Sequence, residues 1–149
     1  MRSHPRSFIL EGTNRATGRM GNRENLEGDP QSGSLTEPVS VVVPAFNEGA
    51  HIMRLLEVLA KTRSPSRIVV VDDGSNDGTP DMVQPWEARD PRIECLRLPG
   101  NRGKAGAMVA GADMCGTDLI VFLDADLVHL SPQNVEDLIE PVRSGRCAM

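Results

Sequence analysis

Aromatic side chains are scarce in this chain. They make up 3% of its 149 residues, with one Trp, three Phe and no Tyr. A core must therefore be built from Val, Leu, Ile, Ala and Met, and at this length roughly 70% of the unfolded chain's surface can be buried by one domain. An excess of basic residues is also missing: 16 Lys and Arg face 21 Asp and Glu, a net charge of -5. That balance argues against a sequence-independent nucleic-acid binder, which needs a basic face. Residues 1–37 carry five charges of each sign, so the whole deficit lies in residues 38–149.

Cysteine is sparse too. Cys95, Cys115 and Cys147 form no C-x-x-C pair, and an odd number cannot be fully paired within one chain. They read as buried small hydrophobes in a reducing compartment. No apolar run approaches the ~20 residues a transmembrane helix needs. The expected location is the cytoplasm, with association at a membrane surface left open.

Residues 1–37 lack apolar periodicity and read as a disordered leader, with the folded part at 38–149. There, short apolar runs alternate with helical patterns. Val39–Val43, Arg67–Val71, Ile93–Leu98 and Leu119–Leu123 are strand candidates, and four strands separated by helices predict an α/β fold with a mostly parallel sheet. Ile52, Leu55, Leu56 and Leu59 form one helical stripe. Thr79 and Pro80 read as an N-cap and first-turn proline, with Met82, Val83 and Trp86 facing inward. Ser131 and Pro132 repeat that grammar before Val135, Leu138, Ile139 and Val142. A small-residue helix over about Lys104–Met114 can approach the sheet closely.

The richest segment is VFLDADLVHL, residues 121–130. Asp124 and Asp126 stand where a buried strand leaves the sheet, and ligands of open α/β sheets bind outside the carboxyl ends of strands. Two carboxylates there suit a hard divalent cation. Taken alone, the pair is equally open to a capped turn or to a phosphatase nucleophile. The latter needs a later lysine and acidic pair, which the sequence does not supply. Strand one leads into Pro44-Ala45-Phe46-Asn47-Glu48, and strand two into Asp72-Asp73-Gly74-Ser75-Asn76-Asp77-Gly78-Thr79. Right-handed crossovers bring such ends to one edge, so the three loops should share a crevice. Carboxylates gathered there need compensation, which a nucleoside diphosphate with Mg2+ or Mn2+ would bring: a base or ribose can donate to Asp73, and the metal can bridge Asp124 and Asp126 to phosphate. Arg102 and Lys104 open the small-residue helix where phosphate could meet them. Asp72 and Asp77 read as residues that tie down their loop, and His129 as structural or at the surface rather than a third ligand. The glycine-rich segment after strand three lacks the Ser or Thr of a P-loop after Lys104, and no G-x-G-x-x-G follows strand one.

VSVVVPAFNE, VVVDDGSNDGT, NRGKAGAMVAG and FLDADL, in this order, resemble the nucleotide-binding half of family 2 glycosyltransferases with the GT-A fold, near dolichyl-phosphate mannose synthase-like and glucosyl-3-phosphoglycerate synthase-like enzymes. The resemblance implies a Rossmann-like GT-A three-layer fold. It implies metal-dependent, inverting transfer of a sugar from a UDP- or GDP-sugar to an acceptor it does not identify. It also implies that Pro44, Phe46 and Glu48 border the nucleoside, that Val71 and Asp73 contact base or ribose, and that Asp124, Ala125 and Asp126 form the metal and diphosphate site. Lys104 matches a lysine near the phosphates, although Gly-Lys-Ala-Gly replaces the commoner Gly-Lys-Gly. Members of the family run well beyond the point corresponding to Met149, so the acceptor half and its general base are expected to be missing. The alternative reading is a truncated donor-binding remnant or interaction module without catalytic activity, with low stability or self-association at an unfinished sheet edge.

Overall fold

The computed structural model describes residues 6–8 and 37–145. Eight elements follow one another in the folded part: β2 (Val39–Ala45), α1 (Gly49–Ala60), β3 (Pro65–Asp72), α2 (Thr79–Arg89), β4 (Ile93–Arg97), α3 (Gly103–Cys115), β5 (Leu119–Phe122) and α4 (Pro132–Arg143). A three-residue strand, β1 (Arg6–Phe8), pairs with β5 from within the expected leader. Nothing in the sequence pattern pointed to β1. Once β5 is placed, its outer edge presents unpaired backbone groups that even a short segment can satisfy. Residues 1–5 and 9–36 of the leader, like Cys147, lie outside the described residues.

All pairings are parallel, in the order β1-β5-β2-β3-β4. The strands β2, β3 and β5 are apolar almost throughout because both faces are covered. Alternation still sorts them. Val41, Val43, Ile68, Val70 and Val121 pack on one side with the stripes of α1 and α4 and with Val83 of α2. Val42, Val69, Val71, Ile120 and Phe122 face α3 on the other. The result is three layers.

Helix α3 can lie close to the sheet because it is built from small residues. A Cβ on Gly111 would fall 2.5 Å from Val42 Cγ1 and 2.8 Å from Val71 Cγ2. The start of α2 differs from expectation. Gly78, in the left-handed region, is its N-cap and makes no side-chain cap; Thr79 is its first residue, fully buried, with its hydroxyl donating to Asp77. Thr79, Val83 and Trp86 then share the inward stripe, which turns Met82 aside to 38% exposure against Gly49 of α1. Ser131 caps α4 as its sequence suggests, in a reciprocal box with Asn134. Glu136 anchors α4 to the α1–β3 turn by accepting from the Ser64 hydroxyl and the N–H groups of Arg63 and Ser64. Burial raises this carboxyl, but those donors outweigh it and hold its pKa below the ordinary value.

Candidate functional site

The order of strands decides where a ligand can enter. From β2 the chain steps outward to β3 and β4, then returns across β2 to β5 on its other side. Connections on either side of β2 therefore pass to opposite faces, α1 on one and α3 on the other, and a crevice opens above the carboxyl ends of β2 and β5. A cavity of about 260 Å³ occupies this position. It is lined by Pro44, Phe46 and Glu48 after β2, Asp73 after β3, Lys104 on α3, and Asp124, Ala125 and Asp126 after β5. Eight of the nine residues marked by the family resemblance thus meet in one place, while Arg102, named beside Lys104 for phosphate, is not among the lining residues. The ninth, Val71, is fully buried one layer down, where its side chain packs under α3 at Gly111.

The acids are placed differently from one another. Asp73 is 3% exposed, yet its Oδ1 accepts the Arg102 N–H at 2.6 Å, at the N-terminus of α3. A backbone donor at a helix start compensates a carboxylate that burial would otherwise penalise, and its remaining lone pairs stay available to a ligand. The close approach of the two loops depends on Gly74, where a Cβ would lie 3.0 Å from the Asn101 nitrogen and φ is +79°. Asp124 is part-buried and receives Lys104 Nζ at 2.5 Å. Asp126 is exposed at the crevice mouth.

Asp72 and Asp77 hold the frame, as their sequence context suggests. Asp72 accepts the Ser75 N–H at 3.3 Å. Asp77 accepts the Gly49 N–H at the start of α1 through Oδ2, and the Thr79 N–H and hydroxyl through Oδ1. The Thr79 hydroxyl, above all, holds the Asp77 carboxyl below its ordinary pKa. Sequence reasoning missed Asn47, Ser75 and Asn76. Asn47 N–H donates to Ser75 Oγ at 2.9 Å, and its Oδ1 accepts the Asn76 N–H at 3.0 Å. With the Asp73 N–H to Ala45 carbonyl bond at 2.9 Å, these contacts lock two walls of the crevice together. One signal was available: Asn47 has φ +52°, a conformation Asn tolerates better than most residues.

His129 does not join the acids. It lies with His51 on a second cavity, of about 300 Å³, on the α1 side of the β5–α4 connection. Cys95 and Cys115 are not activated thiols: burial pushes the first up to about 11, with Glu87 adding to it, and raises the second.

Among the described residues, no three His, Cys, Asp or Glu side chains are grouped to enclose a metal. The crevice instead offers the carboxylates of Asp124 and Asp126. That donor set fits a hard cation whose other ligands come from phosphate and water, the usual habit of Mg2+ beside nucleotides. Lys104 on Asp124 shows that this carboxylate already attracts a cationic partner.

Residues 40–149 match the sequence model of glycosyl transferase family 2. The chain belongs to this family, and its α/β sheet is the Rossmann-like GT-A fold. It is 38% identical over 112 residues to undecaprenyl-phosphate 4-deoxy-4-formamido-L-arabinose transferase of Pseudomonas paraeruginosa, an alignment covering 72% of this chain and 33% of that protein. Its structure resembles the mannosyltransferase PcManGT of Pyrobaculum calidifontis in complex with GDP-Man and Mn2+, at 27% identity and TM-score 0.64, covering 72% of this chain and 32% of that one. It also resembles glucosyl-3-phosphoglycerate synthase of Mycobacterium tuberculosis in complex with Mn2+, UDP and glucosyl-3-phosphoglycerate, at 25% identity and TM-score 0.63, covering 72% and 40%. The chain spans about a third of the length of these relatives. Among the described residues, no helix is long and apolar enough to cross a membrane.

Proposed function

We propose that this chain forms the donor-binding part of a metal-dependent glycosyltransferase, which takes a UDP- or GDP-sugar and transfers the sugar to an acceptor with inversion at the anomeric carbon. The observation that carries the reading is the meeting of Asp73, Lys104, Asp124 and Asp126 in one crevice at the switch point of the sheet. Pro44, Phe46 and Glu48 border the nucleoside in this reading, and Asp73 accepts from base or ribose through lone pairs left free by the Arg102 N–H. Lys104 exchanges Asp124 for a phosphate oxygen when the donor enters. Asp124 and Asp126 would hold Mg2+ or Mn2+, which supplies charge neutralisation for the departing nucleoside diphosphate. Complexes of the two structural neighbours with Mn2+ support a divalent ion. No feature of the crevice favours a remnant without activity.

Calorimetry with UDP- and GDP-sugars in Mn2+ or Mg2+ tests the reading. Saturable binding that EDTA abolishes is expected. A folded chain that bound none of these donors with either ion would overturn it.

A further inference from the structure

Glu48 stands at the N-cap of α1, yet its side chain does not cap the helix. Other groups satisfy the first turn. Gly49 N–H donates to Asp77 Oδ2 at 3.2 Å, and the N–H groups of His51 and Ile52 donate to the Glu48 carbonyl at 3.0 and 2.8 Å. The carboxylate of Glu48 takes no part in these bonds. It turns instead to His51, whose Nδ1 is hydrogen-bonded at 2.7 Å to Glu48 Oε2, which accepts.

The two partners stand on different sides of the first turn. Glu48 lines the donor crevice, whereas His51 lines the cavity against α1 and reaches the crevice through Glu48. With Oε2 engaged, Oε1 is left to accept from a ligand. Asp73 is arranged alike, one oxygen on the Arg102 N–H and the other available. A glutamate without such a partner samples several rotamers, and ordering it on binding costs entropy. A held glutamate has met that cost before the ligand arrives. The imidazole also offsets one of four carboxylates in a crevice that, in the donor reading, takes up an anionic diphosphate. Both side chains are partly exposed, 47% for His51 and 29% for Glu48, and pairs of this kind contribute little to folding. The consequence of the pair lies in the pose of the carboxylate.

We propose that His51 is a positioning residue for the donor: it holds Glu48 through Oε2 and thereby presents Oε1 to the nucleoside. This role rests on the donor reading, in which Glu48 borders the nucleoside. Loss of His51 should be felt at that end of the crevice and not at Asp124 and Asp126.

Calorimetry on the intact chain compares a UDP- or GDP-sugar in Mn2+ with Mn2+ pyrophosphate, which has no nucleoside. His51→Ala should weaken the nucleotide sugar about tenfold, the scale of one hydrogen bond to a charged group, and leave Mn2+ pyrophosphate unchanged. His51→Asn, whose amide nitrogen stands as far from Cβ as Nδ1 does, should restore most of the affinity. Helix propensity ranks Ala above both His and Asn, so a role confined to the stability of α1 would make His51→Ala the best binder of the three. In a Glu48→Ala background, His51→Ala should weaken donor binding no further. Melting temperatures should differ little throughout. Equal donor affinity in wild type and His51→Ala overturns the proposal, as does a loss that His51→Asn does not restore or that extends equally to Mn2+ pyrophosphate. Failure of the donor reading looks different: the wild type itself would bind no nucleotide sugar, and the role of His51 would fall with it.

Discussion

Two cavities flank the β5–α4 connection and share almost no chemistry. The crevice over β2 and β5 gathers four carboxylates and one lysine, while the cavity against α1 gathers two histidines and an arginine over an apolar floor. The difference begins with the chain's path. Strand ends deliver acids to the switch point, and the outer face of α1 delivers bases to its neighbour. Glu48 and His51, joined across the first turn of α1, connect the two, as does the Leu127 N–H to Asp124 carbonyl bond. Acidic side chains thus gather on one side of the first turn of α1, and histidine and arginine on the other.

The largest expected way to break this contrast is to neutralise the crevice. Asp126→Ala or Asp124→Ala should lower metal-dependent donor affinity by at least about a hundredfold, since even outer partners of metal ligands are worth roughly 10- to 100-fold. Calorimetric titration with the donor measures both. Next comes Gly111→Ala, which drives a Cβ into Val42 and Val71. Overpacking of this kind costs about 1–3 kcal/mol and should show as a lower denaturant midpoint. Because α3 carries Lys104 and its N-cap supplies the Arg102 N–H, donor binding should weaken with it, while the cavity against α1 is spared.

A smaller effect, of opposite sign for two ligands, is expected from Lys104→Met. Its pair with Asp124 is half exposed and so worth about 0.2–1 kcal/mol. Divalent ion alone should bind slightly more tightly, and the nucleoside-diphosphate sugar several-fold more weakly. Mn2+ titration with and without UDP-sugar separates the two. Asp77→Asn should have the smallest effect. The folded-state pKa of Asp77 is depressed, so its contribution is present above the unfolded value of 3.8 and is lost as pH falls through the lower folded value. Wild type and variant should therefore differ slightly in melting temperature at pH 7, and the difference should shrink as pH falls from 3.8 through the lower folded value.

Much of the fold is legible in the order of the amino acids. The strands begin or end within two residues of their expected limits because apolar runs bounded by Gly, Pro and Asp allow few alternatives. The carboxylates of the crevice are legible for the same reason, as each lies within a few residues of a strand's carboxyl end. Three things are not. Met82 looks inward on periodicity alone, and only the packing of α2 beside α1 turns it aside. The bonds of Asn47 with Ser75 and Asn76 join residues 28 and 29 positions apart, a separation that no local pattern encodes. Pairing of Arg6–Phe8 with β5 depends on an edge that exists only once the sheet is built.

The sequence by itself determined the parallel α/β sheet, the order of its strand-end loops and the acids they carry, because periodicity and turn chemistry act over a few residues. Tertiary structure alone decided that Lys104 closes on Asp124, that Asp73 is buried yet held by the Arg102 N–H, and that Arg54 and His129 face one cavity. These meetings depend on distances set by the sheet's crossovers and by the close seat of α3 at Gly111. Such distances belong to the packed chain.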